Sequence, residues 1–122
     1  MEVRDGRQFC SWEDFEEALG RFQLYCREKK LNFQGIYAIP RGGLVPAVCL
    51  SHRLRLPLLS EPIPGKTLIV DDIADTGKTL GPYKPDYFIF TIFYHPQSAV
   101  LPDFWVFEKG DEWVVFPWER RF

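Results

Sequence analysis

An α/β fold built on a parallel sheet is what this sequence predicts, and three observations predict it. Short apolar runs alternate with helix-patterned segments through the first half of the chain. One of these runs, Thr67 to Val70, stops at two adjacent carboxylates and a turn of small and hydroxyl-bearing residues, as a strand does where a parallel sheet holds its ligand. The length of 122 residues, with 46% apolar and 16% aromatic, suits one domain over residues 1–122 with a core packed largely by rings.

Ser11-Trp12-Glu13-Asp14 reads as a helix start, with Ser11 as the N-cap and early acids at the positive dipole end. Trp12, Phe15, Leu19, Phe22 and Cys26 then recur at three- and four-residue steps, so a helix is expected from about Trp12 to about Lys29. Gly35 to Ile39 is a short buried strand between breakers. Gly43 to Arg53 is a second helix, with Pro46 tolerated in its first turn. Leu56 to Leu59 and Thr67 to Val70 are expected as the next strands. Tyr87 to Tyr94 is the longest β-type run, and shorter ones span Phe104 to Glu108 and Trp113 to Val115 around a Lys109-Gly110-Asp111 turn.

Composition removes several classes of function. A net charge of −2 argues against a general nucleic-acid binder. The absence of a long apolar stretch or a leader-like segment argues against a membrane or exported protein. Cys10, Cys26 and Cys49 are odd in number and have no C-x-x-C spacing, so they read as free thiols of a cytoplasmic protein.

The chemistry is concentrated in Ile69-Val70-Asp71-Asp72-Ile73-Ala74-Asp75-Thr76-Gly77-Lys78-Thr79. The paired acids can accept hydrogen bonds from sugar hydroxyls or hold a divalent cation. The turn after them can aim successive N–H groups and two threonine hydroxyls at a phosphate, with Gly77 free to take a positive φ. An acidic turn capping a short helix is the bland alternative for an Asp-Asp pair taken alone. Pro40-Arg41-Gly42-Gly43, at the junction of a strand and a helix, is either a second anion-binding loop or a tight turn with a solvated arginine.

The whole string resembles the phosphoribosyl-pyrophosphate (PRPP) signature of type I phosphoribosyltransferases. Ala38 to Ala47 is similar to the pyrophosphate loop of the purine enzymes in that family. The resemblance implies a Rossmann-like parallel core with a short C-terminal base-binding segment. It puts Asp71 and Asp72 on the ribose hydroxyls, with Asp72 near Mg²⁺. It wraps Ala74, Asp75, Thr76, Gly77, Lys78 and Thr79 around the PRPP phosphate, and it gives Arg41 and Gly42 the pyrophosphate. Asp75 would sit near N7 of the incoming purine as the proton acceptor. In the family the peptide before the arginine-type residue is often cis, here Pro40–Arg41.

Trp113-Val114-Val115-Phe116-Pro117-Trp118-Glu119 resembles the base-binding end of xanthine-guanine and archaeal purine phosphoribosyltransferases. Trp113 would then stack on the base and the Val114 main chain would contact it. Packing of those rings on the core is the alternative. His95 stands where the family's strand ends in a lysine that bonds the purine 6-oxo group; it can donate from a ring nitrogen without being charged.

Two pieces of the family pattern are short. Only Ser60 to Lys66 is left of a hood loop, and Gly81, Pro82 and Pro85 interrupt any helix after Thr79. The first gap predicts slow transfer or partial PRPP hydrolysis. The second predicts a poorly covered sheet face with the rings of Tyr87 to Tyr94 exposed, hence a homodimer or larger assembly. The function implied is purine salvage, in which PRPP and a purine base give a purine nucleotide and pyrophosphate with Mg²⁺. A weak or inactive nucleotide-binding module with a regulatory role is the competing reading, and a nucleic-acid or protein-interaction domain has least support.

Overall fold

The computed structural model describes residues 1 to 119. Four strands, β3 (Gly35–Ala38), β4 (Thr67–Ala74), β5 (Phe88–Tyr94) and β6 (Phe107–Glu108), form an all-parallel sheet in that order. A second, three-stranded sheet joins β1 (Glu2–Arg4), β2 (Arg7–Phe9) and β7 (Trp113–Val115). Two helices, α1 (Trp12–Lys29) and α2 (Leu44–Leu54), complete the regular structure together with two short 3₁₀ turns.

α1 starts where its chemistry says it should. Ser11 Oγ accepts from the Asp14 N–H at 3.0 Å and the Asp14 carboxylate accepts from the Ser11 N–H at 2.9 Å, closing a capping box. Phe15, Ala18, Leu19, Phe22 and Cys26 face the core, whereas Trp12, expected on that stripe, is 52% exposed. Both helices pack on the sheet face that carries Ile36, Leu68, Val70, Phe90 and Ile92. Phe22 stacks on Phe90 with centroids 4.5 Å apart, and each such buried ring contributes roughly 1.5–3 kcal/mol.

Four expectations need correction. Leu56 to Leu59 is not a strand: Leu58 makes one parallel bridge to Ile36, because Pro57 has no N–H and Ser60 to Pro64 turns away. β4 does not stop at Val70 but continues to Ala74, its pairing with β5 carrying Asp71 opposite Thr91 and Ile73 opposite Phe93. Only Phe107–Glu108 of the Phe104 to Glu108 run pairs as a strand; Phe104 adds a single bridge to Phe90.

The rings of Tyr87 to Tyr94 are not exposed either. Ile89, Phe90, Ile92 and Phe93 are fully buried. The second sheet face, carrying Ile69 and Ile89, is covered by Leu80, Val100 and the rings of Tyr37, Tyr83 and Tyr87. The chain from Ala74 to Phe88 has no α-helix, only the 3₁₀ turn Gly81–Tyr83, and its side chains do the covering that a helix would. Self-association, expected from that face, loses its motive there.

β1 and β2 were not foreseen. Asp5 (φ 52°) and Gly6 (φ 71°) form a two-residue hairpin turn, with Arg4 opposite Arg7. β2 then pairs in parallel with β7, Arg7 opposite Trp113 and Phe9 opposite Val115. The N-terminus thus supports the C-terminal segment.

Candidate active site

All four strands of the parallel sheet run the same way, so their carboxyl ends share one edge. Beyond β3 lies Pro40-Arg41-Gly42-Gly43, beyond β4 Asp75 to Thr79, beyond β5 His95 and beyond β6 Lys109. This is the edge at which open parallel sheets hold ligands.

The first loop is drawn against β4. The Ile39 N–H donates to the Val70 carbonyl at 2.9 Å and the Gly43 N–H to the Ile39 carbonyl at 2.8 Å. The Pro40–Arg41 peptide bond is cis. Gly42 lies so close to the Asp72 side chain that an added methyl group would overlap the carboxylate. Residues thirty positions apart in sequence are thereby brought together, while Arg41 remains exposed at the foot of α2.

Asp71 is buried and its Oδ1 accepts from the Asp72 N–H at 2.8 Å. Burial, with the Asp72 charge beside it, pushes the Asp71 carboxyl up to about 8. Asp72 is half-buried and its Oδ1 accepts from the Ile73 N–H at 2.8 Å. Thr91, opposite Asp71 on β5, has a buried hydroxyl without a partner among the described residues.

The turn after β4 alternates anchors with exposed groups. Gly77 and Leu80 are buried, and Asp75, Thr76, Lys78 and Thr79 are exposed. Gly77 has φ 89°, and a methyl group there would meet the Val100 nitrogen at 2.7 Å. The Ala99 N–H donates to the Thr76 carbonyl at 2.9 Å, tying the turn to the loop after β5. Thr76 Oγ1 accepts from the Lys78 N–H at 3.3 Å. The N–H groups of Thr76, Gly77 and Thr79 have no partner among the described residues, which suits them to an anion.

A cavity of about 160 Å³ opens beside this turn, lined by Asp72, Ile73, Asp75, Lys109, Trp113, Val114, Phe116 and Glu119. Trp113 is 68% exposed, whereas Val114 and Phe116 are buried. Lys109 Nζ lies 3.4 Å from Asp75 Oδ1, its side chain only 10% exposed. His95 is not among the lining residues; it is half-buried, and its Nδ1 accepts from the Gln97 N–H at 3.0 Å. A larger open groove of about 980 Å³ runs along the N-terminal hairpin and shares Trp113 and Glu119 with the smaller cavity. The Asp71 to Thr79 string contributes nothing to that groove, so the smaller cavity is the one the chemistry reaches.

No protein-family model matches the chain. The xanthine-guanine phosphoribosyltransferase of Nitratidesulfovibrio vulgaris (strain Hildenborough) is 30% identical over 119 aligned positions, which cover 76% of this chain and 73% of that relative. The chain belongs to the type I purine phosphoribosyltransferases. The crystal structure of a purine phosphoribosyltransferase from Pyrococcus horikoshii agrees, with a TM-score of 0.82 and 30% identity over 95% of this chain and 96% of that one. A xanthine-guanine-hypoxanthine phosphoribosyltransferase of Helicobacter pylori, 19% identical, shares the fold with a TM-score of 0.78.

The phosphoribosyltransferase residues read from sequence are brought together with one exception. Asp71 to Thr79, Arg41 and Gly42 lie at the carboxyl edge of the parallel sheet, and Trp113 and Val114 of β7 line the cavity beside it; His95 stands outside that cavity, and Lys109, which the sequence does not single out, lines it. A lysine beside a Gly-Asp turn looks like a solvated loop residue in sequence, and nothing local reveals that β6 delivers it next to Asp75.

Proposed function

We propose that the chain transfers ribose 5-phosphate from PRPP to a purine base, giving a nucleoside monophosphate and pyrophosphate. One observation carries this: Asp72 and Asp75, from the ribose-phosphate string, line the same cavity as Trp113 and Val114, from the base segment. In the reaction the bond from ribose C1 to the pyrophosphate oxygen breaks, a bond from C1 to a purine ring nitrogen forms, and the purine gives up a proton. Asp75, half exposed beside the cavity, receives that proton from N7. The free N–H groups of Thr76, Gly77 and Thr79 hold the 5-phosphate, with the Thr76 and Thr79 hydroxyls and Lys78 around them. Asp71 and Asp72 accept from the ribose hydroxyls. Arg41, Gly42 and the start of α2 face the leaving pyrophosphate. Trp113 offers an open ring face on which the base stacks, and the Val114 main chain borders the base edge.

The donor set fits Mg²⁺. Among the described residues no cluster of three or more metal-type ligands exists, and Mg²⁺ is commonly held by one or two carboxylates plus substrate phosphates. Asp72, with Asp71 beside it, would hold the ion together with the pyrophosphate, and the bound ion would neutralise charge on that leaving group.

Ser60 to Lys66 is a tight turn, fastened by the Ile63 N–H to Thr67 Oγ1 at 2.8 Å and by the Gly65 N–H to the Asp86 carbonyl at 3.0 Å. That turn favours slow turnover, and it is the observation behind a second reading, a nucleotide-binding module with regulatory use. Among the described residues no helix is long and apolar enough to cross a membrane, and all three cysteines are free. Burial pushes the Cys10 thiol up to about 12 and Cys26 to about 11, which fits inert core thiols of a cytoplasmic enzyme.

Incubation with PRPP, Mg²⁺ and a panel of purines, with pyrophosphate and nucleotide both measured, tests the proposal. Stoichiometric nucleotide and pyrophosphate support transfer, and pyrophosphate alone indicates hydrolysis. Nucleotide binding by calorimetry without turnover on any base would leave only the module.

A further inference from the structure

We propose that Thr91 is a positioning residue: its hydroxyl turns to Asp71 when a ribose phosphate binds and holds that carboxylate on the ribose hydroxyls. The inference rests on the transferase reading and adds to the same site the group that orients its sugar grip.

β5, Phe88-Ile89-Phe90-Thr91-Ile92-Phe93-Tyr94, is a strand of rings and branched aliphatic chains with one aliphatic hydroxyl at its middle. Thr91 has no exposed surface, and its hydroxyl has no hydrogen-bond partner among the described residues. Such an orphan is uncommon in a folded core, because the hydroxyl gives up its bonds to water and gains none in return. The main chain is not the reason for it, since the Thr91 N–H already donates to the Phe104 carbonyl at 3.1 Å. A valine, close to threonine in shape, would fill the position with no unsatisfied group. The hydroxyl therefore stands there at the expense of stability.

Its place in the sheet gives it a use. The register of β4 with β5 sets Ile69 beside Ile89 and then Asp71 beside Thr91, one step closer to the carboxyl edge. Paired residues of neighbouring strands project to the same face, with their backbones about 4.8 Å apart. β3 ends at Ala38, opposite Val70, so Thr91 is the one strand neighbour that Asp71 has. Asp71 Oδ1 accepts from the Asp72 N–H at 2.8 Å, and a carboxylate has further acceptor sites to offer. Rotation of Thr91 about χ1, with a small swing of Asp71, brings the hydroxyl onto the carboxylate. A bond from O–H to a carboxylate is stronger than one between neutral groups, and it leaves the other lone pairs of Asp71 aimed at the ribose.

The test compares wild type, Thr91→Val and Thr91→Ser. Urea denaturation is read beside calorimetry with inosine 5′-monophosphate and its 2′,3′-dideoxy analogue, both with Mg²⁺. Thr91→Val should be as stable as wild type or more so. The wild type should bind the ribonucleotide about tenfold or more tightly than the dideoxy analogue. Thr91→Val should bring the two within about threefold by weakening the ribonucleotide alone, and Thr91→Ser should keep the wild-type ratio. In turnover, KM for PRPP should rise about tenfold in Thr91→Val with KM for the base unchanged. An unchanged ratio in Thr91→Val, equal weakening of both nucleotides, equal binding of the two by wild type, or a Thr91→Val less stable than wild type would each overturn the assignment. Failure of the transferase reading looks different: nucleotides bind but no purine is turned over, and the ratio of ribonucleotide to dideoxy affinity still decides the role of Thr91.

Discussion

The two halves of the proposed site are built by opposite means. The ribose-phosphate half is one continuous stretch of chain, Asp71 to Thr79, whose strand is buried between neighbours and whose turn is fastened through Gly77 and Thr76 to the loop after β5. The base half is assembled from parts far apart in sequence: Lys109 from β6, Trp113 and Val114 from β7, and an N-terminal hairpin that pairs with β7. The first half is local and tied to its neighbours. The second is non-local and has one exposed face, with Trp113 68% open to solvent. On the proposed reading, the PRPP contacts come from one stretch of chain and the base contacts from several.

The largest effect separating the halves should come from Asp75→Asn. We expect kcat to fall by about 10²-fold or more, with less than tenfold change in nucleoside monophosphate affinity by calorimetry. Asp71 supplies the next contrast. Its folded-state pKa of about 8 lies above the ordinary 3.8, so the folded chain binds the extra proton between those values. The stability contributed by this group should therefore be fully present at pH 4 and below and be lost progressively as pH rises to about 8, with no further loss from it above that. Asp71→Asn should flatten that slope in urea titrations across the same range.

Gly77→Ala comes third. Its φ of 89° and the close Val100 nitrogen should cost about 2 kcal/mol in chemical denaturation and weaken binding of any ribose 5-phosphate. Trp113→Ala should raise KM for the base by about tenfold, leave KM for PRPP within about twofold, and barely alter the melting temperature of so exposed a ring. The smallest effect should be that of Gly6→Val. It strains the hairpin turn by about 1 kcal/mol and touches only the base side, so a rise in KM for PRPP would break the contrast between halves.

The same contrast decides what sequence could reveal. Asp71 to Thr79 carries a family signature that is legible because its acids, glycine and hydroxyls are contiguous in the chain, and α1 was legible through its Ser11–Asp14 cap and ring periodicity. β4 was read too short because carboxylates look like a strand end, although Asp71 pairs on with β5 opposite Thr91. Lys109 escaped because only the Phe93–Phe107 register brings it to Asp75. The hairpin does carry a signal, the Asp5-Gly6 pair between short extended segments. The two tryptophans show why ring counts mislead. Trp118 stacks on Phe116 at 4.8 Å and packs against Phe15, whereas Trp113, five positions earlier, stays open.

A crystal structure with a purine nucleoside 5′-monophosphate bound tests the central claim most directly. The account predicts the 5-phosphate within hydrogen-bonding distance of the Thr76, Gly77 and Thr79 N–H groups, the ribose on Asp71 and Asp72, and the base on Trp113. A nucleotide seated in the open groove of the N-terminal hairpin, with the Gly77 turn empty, would contradict it.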